Sequence, residues 1–206
     1  MPTTRALLGA AAVTAAVALL APATAQASTT QASTTAATSS CNPALIAPHG
    51  SLIGGLWRDN NGENSVYGCP VTREFGFENT KGSWQRFENG KIVWSPNVGG
   101  GALLRVFKKN GKMFFKWDGM GRDWDFFNVR WSKDAELGNR TTQVKVKRLT
   151  PWSGQFSITT NPAVDFESTS SHGRSTDTWR FVVQGCDRGT FSSDCGPWSI
   201  TNVYTY

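Results

Sequence analysis

The second half of the chain alternates apolar and polar residues over short segments separated by turn residues. Phe127, Val129 and Trp131 alternate with polar neighbours, and the same period of two recurs in residues 179–183. This period is typical of a strand with one buried face. We predict seven strands, at residues 102–109, 112–118, 125–132, 142–149, 154–160, 178–185 and 198–206. Seven short strands of this kind indicate an immunoglobulin-like β-sandwich over residues 102–206.

The first half is dominated by turn signals, at residues 54–55, 60–62, 68–70 and 89–90. No long amphipathic helix is visible in the pattern, so the whole chain is predicted to be all-β. The clearest element is a hairpin over residues 84–95, with Asn89-Gly90 as a two-residue turn. Such a turn pairs Phe87 with Ile92 and Trp84 with Ser95.

Strand parity in this hairpin separates its two tryptophans. Trp94 shares the predicted core face with Gln85, Phe87 and Ile92, whereas Trp84 lies beside Arg86 on the other face. An exposed tryptophan beside polar groups suits the apolar face of a sugar ring. The favoured alternative is that Trp84 packs against the N-terminal segment or the second half. The predicted ligand-binding residues are Trp57, Trp84, Gln85 and Arg86.

A second Asn-Gly turn, Asn110-Gly111, predicts the pairing of the next two strands from Lys109 with Lys112 to Leu104 with Trp117. One face of this hairpin is apolar and is predicted to enter the core. The opposite face collects four cations around Phe107 and Phe114, namely Arg105, Lys109, Lys112 and Lys116. Like charges directly opposite each other are destabilising, so this face is a candidate anion-binding patch. A solvated basic face is the favoured alternative.

The spacing of residues in the first half carries a family resemblance. The run Tyr67-Gly68-Cys69-Pro70, the spaced QxFxxGxIxWS pattern of residues 85–95 and Gly99-Gly100 resemble one LGFP repeat, over residues 45–102. These repeats occur in cell-envelope and secreted proteins of high-GC Gram-positive bacteria, so the resemblance implies association with wall polymers. Repeats usually bury their faces against neighbouring repeats. This single copy is expected to be stabilised instead by a disulfide and by packing against the second half.

The second half resembles a bacterial fibronectin type III domain. The resemblance rests on Trp117 in the second strand, on residues 127–131 in the third and on residues 179–185 in the penultimate one. Trp179 stands where the family has a corner tyrosine. The closing VVQGCDRGTFSSDCGPWS resembles a variant whose last hairpin is stapled by two cysteines.

The N-terminus predicts export and the domain plan. Residues 1–27 have an apolar stretch followed by Ala-Gln-Ala, as in a secretory signal peptide. Residues 28–40 contain no aromatic or charged residue and are predicted to be a disordered Ser/Thr/Ala linker. An LGFP-like module at 41–101 and the sandwich at 102–206 complete the plan. We expect a secreted protein, extracellular or associated with the cell wall.

Cysteine count and charge fit this plan. The four cysteines allow three disulfide pairings, and proximity favours Cys41–Cys69 and Cys186–Cys195. Residues 28–100 carry five Lys or Arg and five Asp or Glu, whereas residues 101–206 carry fifteen and ten. The basic excess therefore lies in the second half, where it permits an anionic partner.

The sequence contains no catalytic or nucleotide-binding fingerprint. Carboxylate pairs could still serve a glycosidase, and the candidates are Glu74 with Glu78 and Asp123 with Asp125. Structural roles are favoured for both pairs. The two histidines lie in different halves and no CxxC motif occurs, so no metal and no cofactor are expected.

Three functional hypotheses follow. The leading one is a non-enzymatic envelope-associated protein that contacts a cell-wall glycan or an anionic wall polymer. Nucleic acid would also complement the positive charge of the second half, but it is not the expected partner. The alternative is a secreted inhibitor or interaction partner that contacts another protein through the loop at residues 187–194. The weaker alternative is a wall-polysaccharide hydrolase using Glu74 and Glu78.

Overall fold

The computed structural model describes residues 40–133, 141–160, 177–190 and 192–205. The predicted signal peptide, nearly all of the predicted linker, and Tyr206 lie outside these ranges. Within them the chain forms one α-helix, α1 (Leu52–Asp59), and eleven strands. The strands are β1 (Phe75–Gly76), β2 (Ser83–Phe87), β3 (Gly90–Ser95), β4 (Ala102–Lys109), β5 (Lys112–Asp118), β6 (Phe126–Lys133), β7 (Thr142–Lys147), β8 (Gly154–Thr159), β9 (Thr178–Arg188), β10 (Ser193–Cys195) and β11 (Asn202–Thr205).

The strands form two antiparallel sheets, so the predicted all-β class is confirmed. The first sheet has the order β1-β2-β3-β4-β5-β8. The second has the order β10-β9-β6-β7. On the edge of β9 that faces away from β6, β10 pairs with residues 186–188 and β11 pairs with residues 178–181. Strands β4, β5 and β8 in one sheet and β7, β6, β9 and β11 in the other are divided as in an immunoglobulin-like sandwich.

The inner face of the first sheet packs on the second sheet and forms the main core. The apolar face predicted for the second hairpin is fully buried there, opposite residues of β6 and β9. Ring contacts cross the interface: Phe115 stacks on Phe181 with centroids 4.9 Å apart, and Trp117 meets Phe127 edge-on at 5.3 Å. Trp179 is buried against Trp131. The period-2 pattern therefore identified the sandwich core correctly.

The outer face of the first sheet carries a second, smaller core. Ile53 and Trp57 of α1 pack with Tyr67 and Cys41 on Phe87, Ile92 and Phe107. Trp94 lies partly buried at the edge of this cluster, on the face predicted for it. Both faces of strand β3 are thus covered, the inner face by the main core and the outer face by the N-terminal segment.

Helix α1 replaces the turn predicted at Gly54-Gly55. It begins after Ser51, whose hydroxyl accepts a hydrogen bond from the backbone N–H of Gly54. Ile53 and Trp57, four residues apart, form its buried face. A Cβ at Gly54 would lie 2.9 Å from the Cβ of Ala47. The glycine therefore permits close helix packing, and reading it as a turn signal was wrong.

The predicted boundary between residues 101 and 102 does not separate two compact units. Strands β3 and β4, on either side of it, are hydrogen-bonded neighbours over six residue pairs, from Gly90↔Phe107 to Ser95↔Ala102. The described residues between 40 and 205 form a single compact unit. The N-terminal strands therefore extend the first sheet of the sandwich, through the pairing of β3 with β4.

The first hairpin has a different register from the predicted one. Its closing pair is Phe87↔Gly90, and Trp84 lies opposite Val93 rather than Ser95. The turn residues are Glu88 and Asn89, whose backbone N–H groups donate to the carbonyls of Cys69 and Tyr67. These contacts with the preceding segment fix the turn. The shift is by two residues, so the predicted faces are unchanged.

The second hairpin has the predicted register at every pair, from Lys109↔Lys112 to Leu104↔Trp117. Asn110 and Gly111 have φ values of 50° and 68°. Positive φ at both central residues is the type I′ geometry that favours Asn-Gly.

Both favoured disulfides are present. Cys41–Cys69 joins residues 28 apart, and the carbonyl oxygen of Cys69 accepts a hydrogen bond from Glu88 in the turn of the first hairpin. Cys186–Cys195 spans nine residues and joins β9 to β10, a short strand that the sequence pattern did not predict.

The last strand connects the two sheets. Its backbone pairs with β9, while the side chain of Asn202 donates to the carbonyl oxygens of Lys91 and Leu104 in the first sheet. Arg86 of β2 donates to the carbonyl oxygen of Thr205 at 2.8 Å. Strand β11 thereby closes one side of the sandwich.

Candidate functional site

Two of the predicted glycan-binding residues are core residues. Trp57 is buried, and its indole N–H donates to the carbonyl oxygen of Gly68 at 2.9 Å. Gln85 is also buried, and its amide donates to the carbonyl oxygens of Leu45 and Thr72. Neither side chain is available to a ligand, so their assignment to a binding face was wrong. Their role is to hold the N-terminal segment on the outer face of the sheet.

The other two predicted residues lie on the inner face, towards the edge of the sheet. Arg86 is exposed but is held by Thr205 of β11. Trp84 is half-buried, with the Lys91 ammonium 4.5 Å from its ring centroid and the Phe75 ring 5.2 Å away. Of the four residues, Trp84 alone borders an open cleft, which is formed with residues 75–80.

The predicted anion-binding residues lie on the outer face of the first sheet, as parity required. Arg105, Lys109 and Lys116 line a single groove of about 330 Å³. Its floor is the stacked pair Phe107 and Phe114, with centroids 5.2 Å apart and planes 7° apart. We refer to this site as the basic groove. Phe107 is buried and Phe114 is half-buried, so the groove offers an apolar surface between cations.

One wall of the basic groove comes from the N-terminal segment. Asn60, Val66 and Tyr67 border it beside α1. On the other side, Gln155, Ser157 and Thr159 of β8 pair with Lys116, Phe114 and Lys112, so they extend the same outer face with polar groups. Lys112 is exposed at the end of β5 and does not line the groove.

The charges in the groove perturb each other. Arg105 forms an ion pair with Asp118. Burial lowers the pKa of Lys116, and the nearby Arg105 and Lys109 lower it further, while Asp118 opposes the change. Burial raises the pKa of the Tyr67 hydroxyl, against the opposing effect of Arg105. Lys116 therefore holds its proton less tightly than an ordinary lysine, first because it is partly buried and second because its neighbours Arg105 and Lys109 are cationic.

Sequence reasoning missed Asn60, Tyr67 and Asp118 at this site. Tyr67 and Asn60 reach the groove because the N-terminal segment folds over the outer face, a long-range contact without a local pattern. Asp118 could have been predicted from the hairpin. Extending the predicted pairing by one residue pair places Asp118 opposite Leu103, on the same face as Arg105 and diagonal to it across the two strands.

One carboxylate of each predicted pair is held by structural hydrogen bonds. Glu74 accepts hydrogen bonds from Ser83 at 2.6 Å and from the helix-capping Ser51. Asp125 accepts from the backbone N–H of Arg188 at 2.8 Å. Their partners Glu78 and Asp123 are exposed. Glu74 thus links α1 to β2, and Asp125 closes a loop of the second sheet.

A cluster of metal-ligand atoms lies around the first disulfide. Cys41, Glu63 and Cys69 place such atoms within 4.8 Å of one another. Both sulfurs belong to the disulfide, so neither is a thiolate that could ligate a metal. Glu63 instead accepts a hydrogen bond from the backbone N–H of Ser40 at 2.7 Å.

The loop predicted for protein contact begins at Asp187, which pairs with Arg122 at 3.0 Å. Gly189, Thr190 and Ser192 in this loop are exposed. A protein partner at this loop stays a prediction.

Residues 68–123 match the LGFP repeat family model. The match confirms the predicted resemblance, but it begins and ends further along the chain than the predicted 45–102 and includes β1 to β5. It suggests a cell-surface-associated protein. No curated protein and no solved structure matches the chain, and the fibronectin type III resemblance stays a prediction. Over the described residues, the helices are too short or too polar to cross a membrane.

Proposed function

We propose that this protein is a non-enzymatic, secreted, cell-envelope-associated protein that binds an anionic wall polymer in the basic groove. The observation that carries this proposal is the convergence of Arg105, Lys109 and Lys116 on the stacked phenylalanine pair. The LGFP match supports the location at the cell surface.

The charge arrangement supports an anionic ligand. Arg105 and Lys116 lie directly opposite each other in the β4–β5 pair, as do Lys109 and Lys112. Such like-charge pairs cost stability. Burial is the main cause of the lowered pKa of Lys116, and repulsion from Arg105 and Lys109 adds to it. A bound phosphate or carboxylate would offset this cost by placing a negative charge between the cations.

The shape of the groove supports a polymer with apolar and charged parts. The half-buried Phe114 ring offers a flat apolar surface flanked by Lys116. Carbon-rich faces of a sugar or glycerol unit would pack on the ring, while the anionic groups meet the cations at its sides. Ser157 and Thr159 of β8 would supply hydroxyl donors further along the face. We propose binding rather than catalysis, because Glu74 and Asp125 are already engaged by structural hydrogen bonds.

Titration of the intact protein with a poly(glycerol phosphate) oligomer tests the proposal. We expect the double variant Lys109→Gln/Lys116→Gln to lose about tenfold or more in affinity, at a few tenths to 1 kcal/mol for each exposed charge contact and more for the half-buried one. The dependence of affinity on salt should become shallower by about one to two ions. The control is the double variant Lys145→Gln/Lys147→Gln, which removes the same number of positive charges from the outer face of the second sheet.

The pH dependence isolates Lys116. Because its pKa lies below that of an ordinary lysine, its positive charge is lost earlier as the pH rises towards 10. We expect the affinity of the wild type to fall over this range more steeply than that of Lys116→Arg, which stays charged. Equal affinities of the wild type and the double variant would refute the proposal.

A further inference from the structure

A second cleft lies on the opposite face of the first sheet. Residues 75–80 curl around Trp84 and enclose a cleft of about 480 Å³. Trp84 shares the inner face with Val93 and Leu104, whereas the basic groove is on the outer face. Strand β1 is the edge strand of the sheet. We refer to this site as the edge cleft.

The edge cleft has an aromatic wall that is open to solvent. Phe75 pairs with Trp84 across β1 and β2, and their ring planes are inclined by 38°. Phe75 is 47% exposed, which is high for a phenylalanine in a strand. The Lys91 ammonium lies over the Trp84 ring and Phe77 packs against the main core. The Trp84 ring is therefore held in place, while Phe75 presents apolar surface to solvent.

The rim of the edge cleft is polar. Glu78, Asn79 and Thr80 follow directly after the aromatic residues and are exposed. In the described ranges, no hydrogen bond engages the side chains of Glu78 or Asn79, so a carboxylate and an amide are available beside the aromatic wall. The Glu78 carboxylate on the rim and the Lys91 ammonium over the Trp84 ring place one charge of each sign at the cleft, so there is no net charge to favour an ionic ligand.

We propose that the edge cleft binds an uncharged pyranose ring of a polysaccharide. A pyranose has an apolar C–H face that packs on an aromatic ring, and its hydroxyl edge needs both donors and acceptors. Phe75 and Trp84 supply the apolar contact, and Glu78 and Asn79 supply the polar contacts. The edge cleft is independent of the basic groove, because it is formed by different residues, lies on the other face of the sheet and takes a ligand without charge.

The test uses the intact protein and four neutral tetrasaccharides, built of glucose, galactose, mannose or N-acetylglucosamine. Saturation-transfer NMR detects binding, and the Trp84 indole resonance reports where the sugar lies. We expect at least one tetrasaccharide to bind and to shift this resonance. Phe75→Ala should weaken its binding about five- to tenfold through loss of the stacking contact, and Glu78→Ala should weaken it by loss of a hydrogen-bond acceptor.

Two controls separate the outcomes. Leu52→Ala removes a comparably exposed apolar side chain outside the cleft and should leave binding unchanged. The double variant Lys109→Gln/Lys116→Gln should keep saccharide binding, so failure of the anionic-polymer proposal leaves this one standing. The inference is overturned if none of the four sugars binds, or if Phe75→Ala binds as well as Leu52→Ala does.

Discussion

Gly90 and Gly111 each follow an asparagine in a hairpin of the same sheet, but they are needed for different reasons. A Cβ at Gly90 would lie 2.4 Å from the carbonyl oxygen of Val106 and 3.0 Å from the Cβ of Phe107. Gly111 has open space around it and a φ of 68°. The first glycine thus allows close approach of β3 to β4, and the second allows a left-handed turn.

Alanine substitution should distinguish these two roles. Gly111→Ala should cost about 1 kcal/mol, the penalty for a left-handed alanine in a turn. Gly90→Ala should cost about 3 kcal/mol or more, because the added methyl overlaps backbone that cannot move without breaking the β3–β4 pairing. Urea denaturation measures both free energies of unfolding. Equal losses would contradict the close-approach role of Gly90.

The alternation of residues along the strands predicted which side chains share a face, but not which residues pack on that face. The alternation in the first hairpin correctly grouped Gln85 with Phe87 and Ile92, yet Gln85 was assigned to a ligand rather than to Leu45 and Thr72. Those carbonyl groups are 40 and 13 residues away in sequence. A local period carries no information about such distant partners, so buried polar residues resemble exposed ones in the sequence.

At the scale of elements, the two hairpins differ in how their registers are set. The second hairpin is closed by its own type I′ turn, and its register was predicted correctly from two residues. The first is held by backbone hydrogen bonds from its turn to Tyr67 and Cys69. Helix α1 was missed for a related reason, because its glycine reflects packing against Ala47. An element whose position is set by contacts with other segments of the chain cannot be predicted from a local motif.

The two disulfides should differ in their contribution to stability. The chain-entropy relation gives about 3.6 kcal/mol for the 28-residue separation of Cys41–Cys69 and about 2.6 kcal/mol for the nine-residue separation of Cys186–Cys195. We therefore expect Cys41→Ala/Cys69→Ala to be about 1 kcal/mol less stable than Cys186→Ala/Cys195→Ala. Thermal unfolding followed by circular dichroism ranks the variants, and the reverse order would count against an entropic origin.

At the scale of the whole molecule, the sandwich and the N-terminal segment share one sheet. The pattern predicted the strands of both parts except β1 and β10, and it placed the four cations of the basic face on one side of the β4–β5 hairpin. It did not predict that the two parts join through β3 and β4, because the alternation of apolar and polar residues in a strand does not indicate which strand it pairs with. The LGFP match, which runs from residue 68 to residue 123, crosses the same junction.

A shared sheet predicts cooperative unfolding. Trp57 lies in the outer cluster and Trp117 in the main core. With 5-fluorotryptophan incorporated, we expect the ¹⁹F resonances of both to lose their native positions at the same temperature, because β3 and β4 belong to both clusters. Assignment uses Trp57→Phe and Trp117→Phe. Two separate midpoints would show that the segments unfold independently.

The position of β11 has a consequence for synthesis. Asn202 bonds to Leu104 across 98 residues of sequence, and at 5–20 residues per second a ribosome needs roughly 5 to 20 s to make that stretch. During this interval the nascent chain carries β4 and β5 without the strand that closes this side of the sandwich. The inner face then exposes Leu104 and Val106, a surface of the kind that chaperones hold. The vulnerable period ends when residues 202–205 become available.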